Sequence, residues 1–347
     1  MNIFTICKTK FSTHVTLVSA ALALALSTSA LAATSFTPSD NKNLAVVYTL
    51  DKPIEEDFFK FTKDDMKKIG FFLNDPHHNV QNVYVEQVGA TGLEQLSFSS
   101  MVNDMSTRPL MNIDPRLGGF TPFNLVIYRK KSEPSKTIIT HIVPEAALDI
   151  LGISDTTVRT KFVDMFKPMN EAIEKKYGAK KSYVKLQGYA KESMMNFEIP
   201  FEEPEDVDDF FDKFQEKFES SFQAKGYIIA GFYNMKYSLN TKPDQLPGFD
   251  EYVVWSLCHI PFSYTIFDGK NPLPQAAIFA PCSMYAYIKK GENKIVIGMP
   301  TLHAWASALG ITEKDKLEKI DQLDTEIPAV IESLGGKRVP NTNPLVK

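Results

Sequence analysis

Cys258 and Cys282 lie in one stretch of the chain with His259, Met299 and His303, and thiol, imidazole and thioether are the groups of redox and soft-metal chemistry. Such a pair can close a disulfide, act as a redox couple, or hold a soft metal or haem. The spacing is not Cys-x-x-Cys, the arrangement that lowers one thiol's pKa in dithiol oxidoreductases. Cys258 and His259 are adjacent, so in a regular strand they point to opposite faces and do not share one ion. Three alternatives therefore stand: a structural disulfide, two buried thiols, or a functional thiol or metal site with Met299 and His303 as partners. A bridge would close a loop of about 25 residues and stabilise by roughly 3 kcal/mol. His77 and His78 follow Asp75-Pro76 and read as an exposed turn, and His141 reads as a strand position without a chemical role. No Gly-x-Ser-x-Gly, His-Glu-x-x-His, Gly-x-Gly-x-x-Gly or P-loop occurs, so no catalytic residue and no cofactor is assigned.

The elements that must position these residues come in two copies. The stretch APCSMYAYIKKGENKIVIGMPTLHAWASALGIT, Ala280 to Thr312, reads as two strands, a Lys-Lys-Gly-Glu-Asn turn and a helix from Pro300 to Gly310. TPFNLVIYRKKSEPSKTIITHIVPEAALDILGIS, Thr121 to Ser154, repeats it at a displacement of roughly 158 residues, with Pro122, Tyr128 and Gly152 matching Pro281, Tyr287 and Gly310. Upstream, Leu44 to Leu50 and Met195 to Phe201 read as strands. Each is followed by a helix, from about Ile54 to Ile69 and from about Glu205 to Ala224. Phe210, Phe211, Phe214 and Phe218 form the packing face of the second, because a phenylalanine stripe at helical spacing beside acids is a core face. His77 to Val88, Leu93 to Met101, Tyr227 to Tyr237 and Tyr252 to Ile260 read as further strands, with loops reaching Phe120 and passing through Asn271-Pro272-Leu273-Pro274. Each copy ends on a long helix with an interior proline, Pro168 or Pro328, which predicts a kink or a break into two helices. The order predicts an α+β fold of two similar domains, each a mainly antiparallel sheet with helices on one face.

Residues 1–32 carry Lys8 and Lys10, an apolar run from Val15 to Leu26, and Ala30-Leu31-Ala32, the pattern of a cleavable signal peptide cut after Ala32. The apolar run is too short to span a bilayer and no later stretch approaches that length, which predicts a periplasmic or secreted protein without a transmembrane segment. The organisation expected is 33–178 for the first domain, 179–193 for a polar, Lys-rich linker and 194–347 for the second domain. The whole chain has a net charge of −4, and losing two lysines with the leader makes it more acidic. That balance excludes nucleic acid as the partner, since phosphate binding needs clustered Lys and Arg. Cys7 leaves with the leader, and the two cysteines that remain are too few for a scaffold that depends on bridges. With 44% hydrophobic residues, the core comes from packing.

The second copy resembles the bacterial family catalogued as domain of unknown function 302 (DUF302). The resemblance rests on Trp255-Ser256-Leu257-Cys258, on Ala280-Pro281-Cys282-Ser283-Met284-Tyr285-Ala286-Tyr287, on Lys294-Ile295-Val296-Ile297, and on Gly310 with the final helix, and it covers roughly residues 200 to 335. The first copy looks like a diverged member, with Met101 standing for Cys258 and Phe123 for Cys282. The resemblance implies a compact α+β domain, usually single and dimer-forming, with no established activity, so two copies in one chain would pair as an internal pseudo-dimer. The expected function is a non-enzymatic binding or accessory protein with a small ligand or a protein in the groove between the copies. A periplasmic redox, metal or haem-handling protein centred on Cys258 and Cys282 is the alternative, and a homodimer is a further expectation.

Overall fold

The structure, a computed structural model, describes residues 42–236 and 246–344; the expected leader lies outside the described residues. In the first half the strands are Asn43–Leu50 (β1), Phe72–His77 (β2), Leu93–Val102 (β3), Phe123–Lys130 (β4), Thr137–Ile142 (β5) and Lys180–Lys185 (β6). In the second they are Met194–Pro200 (β7), Ile228–Asn234 (β8), Phe249–Cys258 (β9), Cys282–Lys289 (β10), Lys294–Pro300 (β11) and Lys337–Val339 (β12). Each set forms a six-stranded sheet, ordered β2-β3-β4-β5-β1-β6 and β8-β9-β10-β11-β7-β12, with neighbouring strands antiparallel. The orders correspond strand for strand, and both halves place a cis proline before the hairpin, at Pro122 and Pro281. The fold is α+β with two similar domains.

The helices are Glu55–Lys60 (α1), Val80–Val88 (α2), Asp104–Met111 (α3), Pro144–Leu151 (α4) and Thr156–Tyr177 (α5), then Val207–Gln223 (α6), Ile260–Phe267 (α7), Leu302–Leu309 (α8) and Lys314–Ser333 (α9). On one face of each sheet lie long helices that bury aromatic side chains. Phe166 of α5 packs on Phe123 and His141, at ring separations of 4.6 and 5.7 Å. Phe218 of α6 stacks on Trp255 at 4.1 Å, and the indole Nε1 donates to Glu219. The stripe read from the sequence is thus a core face, extended by Phe222, with Phe210 and Val207 only partly covered.

Several expectations are corrected. The strand expected over 77–88 is α2, started after Asn79 and closed by Gly89, both with left-handed backbone; Val80, Val83 and Tyr84 at i, i+3 and i+4 supply the side that packs inward. The expected loops hold α3 and α7, each followed by a 3-10 turn, Pro115–Phe120 and Pro274–Phe279. Pro168 and Pro328 lie inside α5 and α9, and neither helix breaks. The buried faces of Phe162, Phe166, Met169 and Ile173, and of Ile320, Leu323, Ile327 and Ile331, outweigh one lost hydrogen bond each. Pro300 ends β11, and Thr301 caps α8 by accepting from Ala304 N–H. Within the expected 179–193 linker, Lys180–Lys185 is β6, an edge strand on β1 whose lysines are those of an exposed edge.

The face of each sheet away from its long helices meets the other half. The turn Pro115–Phe120 lies on β10 and β11, and its counterpart Pro274–Phe279 lies on β4 and β5, a reciprocal arrangement like that of an isologous dimer. Phe120 and Phe279 approach at a ring separation of 6.1 Å. Polar links cross the same boundary: the Tyr233 hydroxyl donates to Asp104 at 2.6 Å, Asp268 accepts from Gly92 N–H at 2.9 Å, and Asp75 accepts from Phe232 N–H at 3.1 Å.

Candidate functional site

Register decides what the two cysteines can do. β9 and β10 are direct neighbours, but Cys282 stands opposite Leu257, and Cys258 is one position further along. Alternation along the strands therefore sends the two thiols to opposite faces of the sheet. Cys258 faces the other half, near Ser263, and Cys282 faces the helices, near Asp324 of α9. Both thiols are free, and the disulfide alternative is not realised. The matching register in the first sheet pairs Met101 with Phe123, so Met101 is the counterpart of Leu257, and Val102, not Met101, is the counterpart of Cys258. Phe123 does stand where Cys282 does.

Burial pushes the Cys258 thiol up to about 12 and the Cys282 thiol further in the same direction. At neutral pH both are thiols, not thiolates, and a thiol is a poor nucleophile and a poor metal ligand. Both are expected to react with iodoacetamide at pH 8 more than tenfold slower than a free cysteine peptide, measured by mass spectrometry of the native chain. Labelling at the peptide's rate would show that a thiolate forms here.

The other residues singled out are engaged elsewhere. His259 caps α7, its Nδ1 accepting from Phe262 N–H at 3.3 Å. His303 meets Asp324 through Nδ1 at 2.8 Å and Asp321 through Nε2 at 3.0 Å, and Asp324 also accepts from Leu302 and His303 N–H at the start of α8. The hydrogen bond to Asp324 raises the His303 pKa above its ordinary value against the opposing effect of burial. Met299 is buried on β11 opposite Met195. Among the described residues no three His, Cys, Asp or Glu side chains are grouped to hold a metal ion, and no helix is long and apolar enough to cross a membrane.

What the fold does build beside Cys258 is a cleft. His77, Val80, Val83 and Phe98 of the first half face Ile228, Ile229, Ala230, Cys258, Ile260 and Pro281 of the second around a cavity of about 270 Å³. Its walls are the ends of β2, β8 and β9, the middle of β3 and the sides of α2 and α7. The lining is almost wholly apolar and carries no carboxylate, lysine or arginine. The Cys258 thiol, held protonated, and the His77 ring are its polar groups. Below this cleft the Tyr84 hydroxyl and Ser263 bond across the halves at 3.2 Å, and Phe98 and Phe267 pack at a ring separation of 6.4 Å, so the walls are tied together. The sequence predicts an exposed turn at His77; it lies instead on the cleft, held between two left-handed residues, Asp75 and Asn79.

No family model matches the chain, and no curated protein matches it. Among solved structures it is similar to the crystal structure of an uncharacterized conserved protein DUF302 from Bacillus stearothermophilus, at 17% sequence identity and a TM-score of 0.32, over 37% of this chain and 95% of that one.

Proposed function

We propose that this is an exported, non-enzymatic binding protein, built as a tandem duplication of a DUF302-like domain over 33–178 and 194–347, whose ligand enters the cleft between the copies. The identical strand order of the two sheets supports the duplication, and the sequence resemblance of the second half supports the family reading. Export rests on the leader pattern of residues 1–32. The observation that carries the binding assignment is the cavity of about 270 Å³ that both halves line, since ligand pockets are concave, mostly apolar and favour domain interfaces. Without a charged group in its walls the cleft suits a small uncharged molecule; a charged one would lose hydration with nothing to replace it. The thiol alternative is less well supported, because burial holds both sulfurs protonated.

The test uses N-phenyl-1-naphthylamine, an uncharged probe that brightens in apolar surroundings. The wild-type chain is expected to bind it saturably. Ala230→Trp, which places an indole in the cavity from the edge strand β8, is expected to weaken binding at least tenfold, and Val83→Trp, from the opposite wall on α2, to do the same. Unchanged fluorescence with the wild type, or wild-type affinity in both variants, would remove the cleft as the binding site.

A further inference from the structure

A second cavity, of about 600 Å³, opens on the first half and has no part in the cleft. It is lined by Phe59, Lys60, Lys63, Asp64, Lys67, Leu73, Pro76 and His78. Its charge contrasts with the acidic chain around it: three lysines face one acid. Lys60, Lys63 and Lys67 are exposed and none makes an ion pair among the described residues, whereas nearby Lys68 and Lys176 are bound to Asp65 and Asp57. Beside the lysines stands an aromatic stack. Phe59 and His78 stack at a ring separation of 3.7 Å and 9° between planes, with Leu73 and Pro76 beside them.

The local backbone explains why these groups converge. α1 runs into a π-helical turn, Phe61–Asp65, then a 3-10 turn, Met66–Ile69, closed by Gly70 in the left-handed region. Phe58, Phe61 and Met66 are buried and fix the inward side, leaving positions 60, 63 and 67 on the outward one. The equivalent α6 of the second half is regular, so the interruption belongs to the first half alone, and such π turns recur at functional sites. On the other wall a break in β2–β3 pairing between Asn74 and His77, with Asp75 and Asn79 left-handed, turns the two histidines apart: His77 to the cleft, His78 to Phe59.

We propose that this groove is a binding site for an anionic ligand with a flat aromatic body, its carboxylate, sulfonate or phosphate held by Lys60, Lys63 and Lys67 and its ring packing against the Phe59–His78 stack. Three unpaired ammonium groups around one apolar patch give both halves of that recognition. An anion gains from the clustered charge, and burying the ring removes apolar surface from water. Burial, and then neighbouring His77, lower the His78 pKa below its ordinary value, which favours the uncharged ring as a stacking surface.

The experiment is calorimetric titration of the full chain with 2-naphthoate and with 2-naphthamide, which share a ring system and differ in charge. The naphthoate is expected to bind at least tenfold more tightly than the amide, and its affinity to fall as salt is raised from 20 to 500 mM through screening. The triple variant Lys60→Gln, Lys63→Gln, Lys67→Gln is expected to lose at least tenfold in naphthoate affinity while binding N-phenyl-1-naphthylamine as the wild type does. The corresponding triple Arg variant is expected to keep naphthoate binding. Equal affinity for the two naphthalenes, wild-type naphthoate binding in the Gln variant, or loss of naphthoate binding in Ala230→Trp alone would each overturn the assignment. The comparison of the two naphthalenes and the naphthoate affinity of the Gln variant do not depend on whether the cleft binds the neutral probe.

Discussion

Gly118→Ala is expected to lower the unfolding free energy by about 2 to 3 kcal/mol, although it adds one methyl group at a position with ordinary backbone conformation. The reason is the fit of the two halves. A Cβ at Gly118 would stand 2.3 Å from the Tyr252 hydroxyl, 2.7 Å from Tyr285 Cβ and 3.0 Å from Tyr285 Cγ. Neither tyrosine can retreat. Both are buried, Tyr252 donates to the Pro115 carbonyl, and its ring packs against Tyr287 at 5.6 Å. The counterpart arrangement shows the same surface solved with other sizes. Ala277 occupies the place of Gly118, and the strand residues equivalent to Tyr252 and Tyr285 are Leu96 and Val126, smaller than the tyrosines. A larger residue on the turn goes with smaller ones on the sheet. The double variant Gly118→Ala with Tyr252→Leu is therefore expected to be more stable than the sum of its single variants by more than 1 kcal/mol, because removing the hydroxyl removes the nearest clash. Urea unfolding of the four proteins measures this coupling. A Gly118→Ala protein within 0.5 kcal/mol of wild type, or an additive double variant, would mean that the halves are not locked through this turn.

That interface was only partly legible in the sequence. Tandem hairpins with matching glycines and prolines announced two α+β units, because local turn chemistry is written in the residues that make it. Pairing of the halves followed from resemblance, but the turns that carry it sat in segments read as loops, since Pro-Arg-Leu-Gly-Gly-Phe and Pro-Gln-Ala-Ala-Ile-Phe lack the periodicity of longer elements. The segment Val80-Gln-Asn-Val-Tyr-Val-Glu-Gln-Val misled for another reason: its valines favour strands, and packing of Val83 and Tyr84 against the other half made it a helix.

The sites were less legible still. Aligning Met101 with Cys258 was wrong by one residue, and in a strand one residue exchanges the faces, which turned a cross-strand pair of cysteines into two thiols on opposite sides. The cleft draws on His77 through Pro281, a span that no local pattern covers. The lysines at 60, 63 and 67 share one helical face in the sequence itself, but without Phe59 and His78 beneath them such a face is an ordinary solvated surface.

His141 makes the last expectation, a loss of stability in mild acid that one substitution removes. Its ring is fully buried on β5, with Nδ1 donating to the Ile142 carbonyl at 2.8 Å, Nε2 at 2.8 Å from the Asn170 amide, and Phe166 and Phe123 against its faces. Burial lowers its pKa from 6.5 to about 4, overriding the two hydrogen bonds, which work the other way. The folded state thus favours the neutral ring. The stability this confers is present above the unfolded value near 6.5 and is lost as the pH falls toward 4, by about 2 kcal/mol at pH 5 and about 3 kcal/mol at pH 4 relative to neutral pH. The second half shows what replaces the imidazole, for the register makes Met299 the counterpart of His141, buried and without a charge to acquire. His141→Met is expected to cost about 1 kcal/mol at pH 7, where it gives up the bond to Ile142 and leaves Asn170 to the Tyr48 hydroxyl alone. It is also expected to lose about 2 kcal/mol less than wild type between pH 7 and pH 5, so the two stability curves cross in that interval. Denaturant unfolding of both proteins at half-unit steps of pH supplies the difference, in which acids common to the two cancel. Parallel curves would show that the ring stays protonated in the fold, donating to both the Ile142 carbonyl and Asn170, or stays accessible to water.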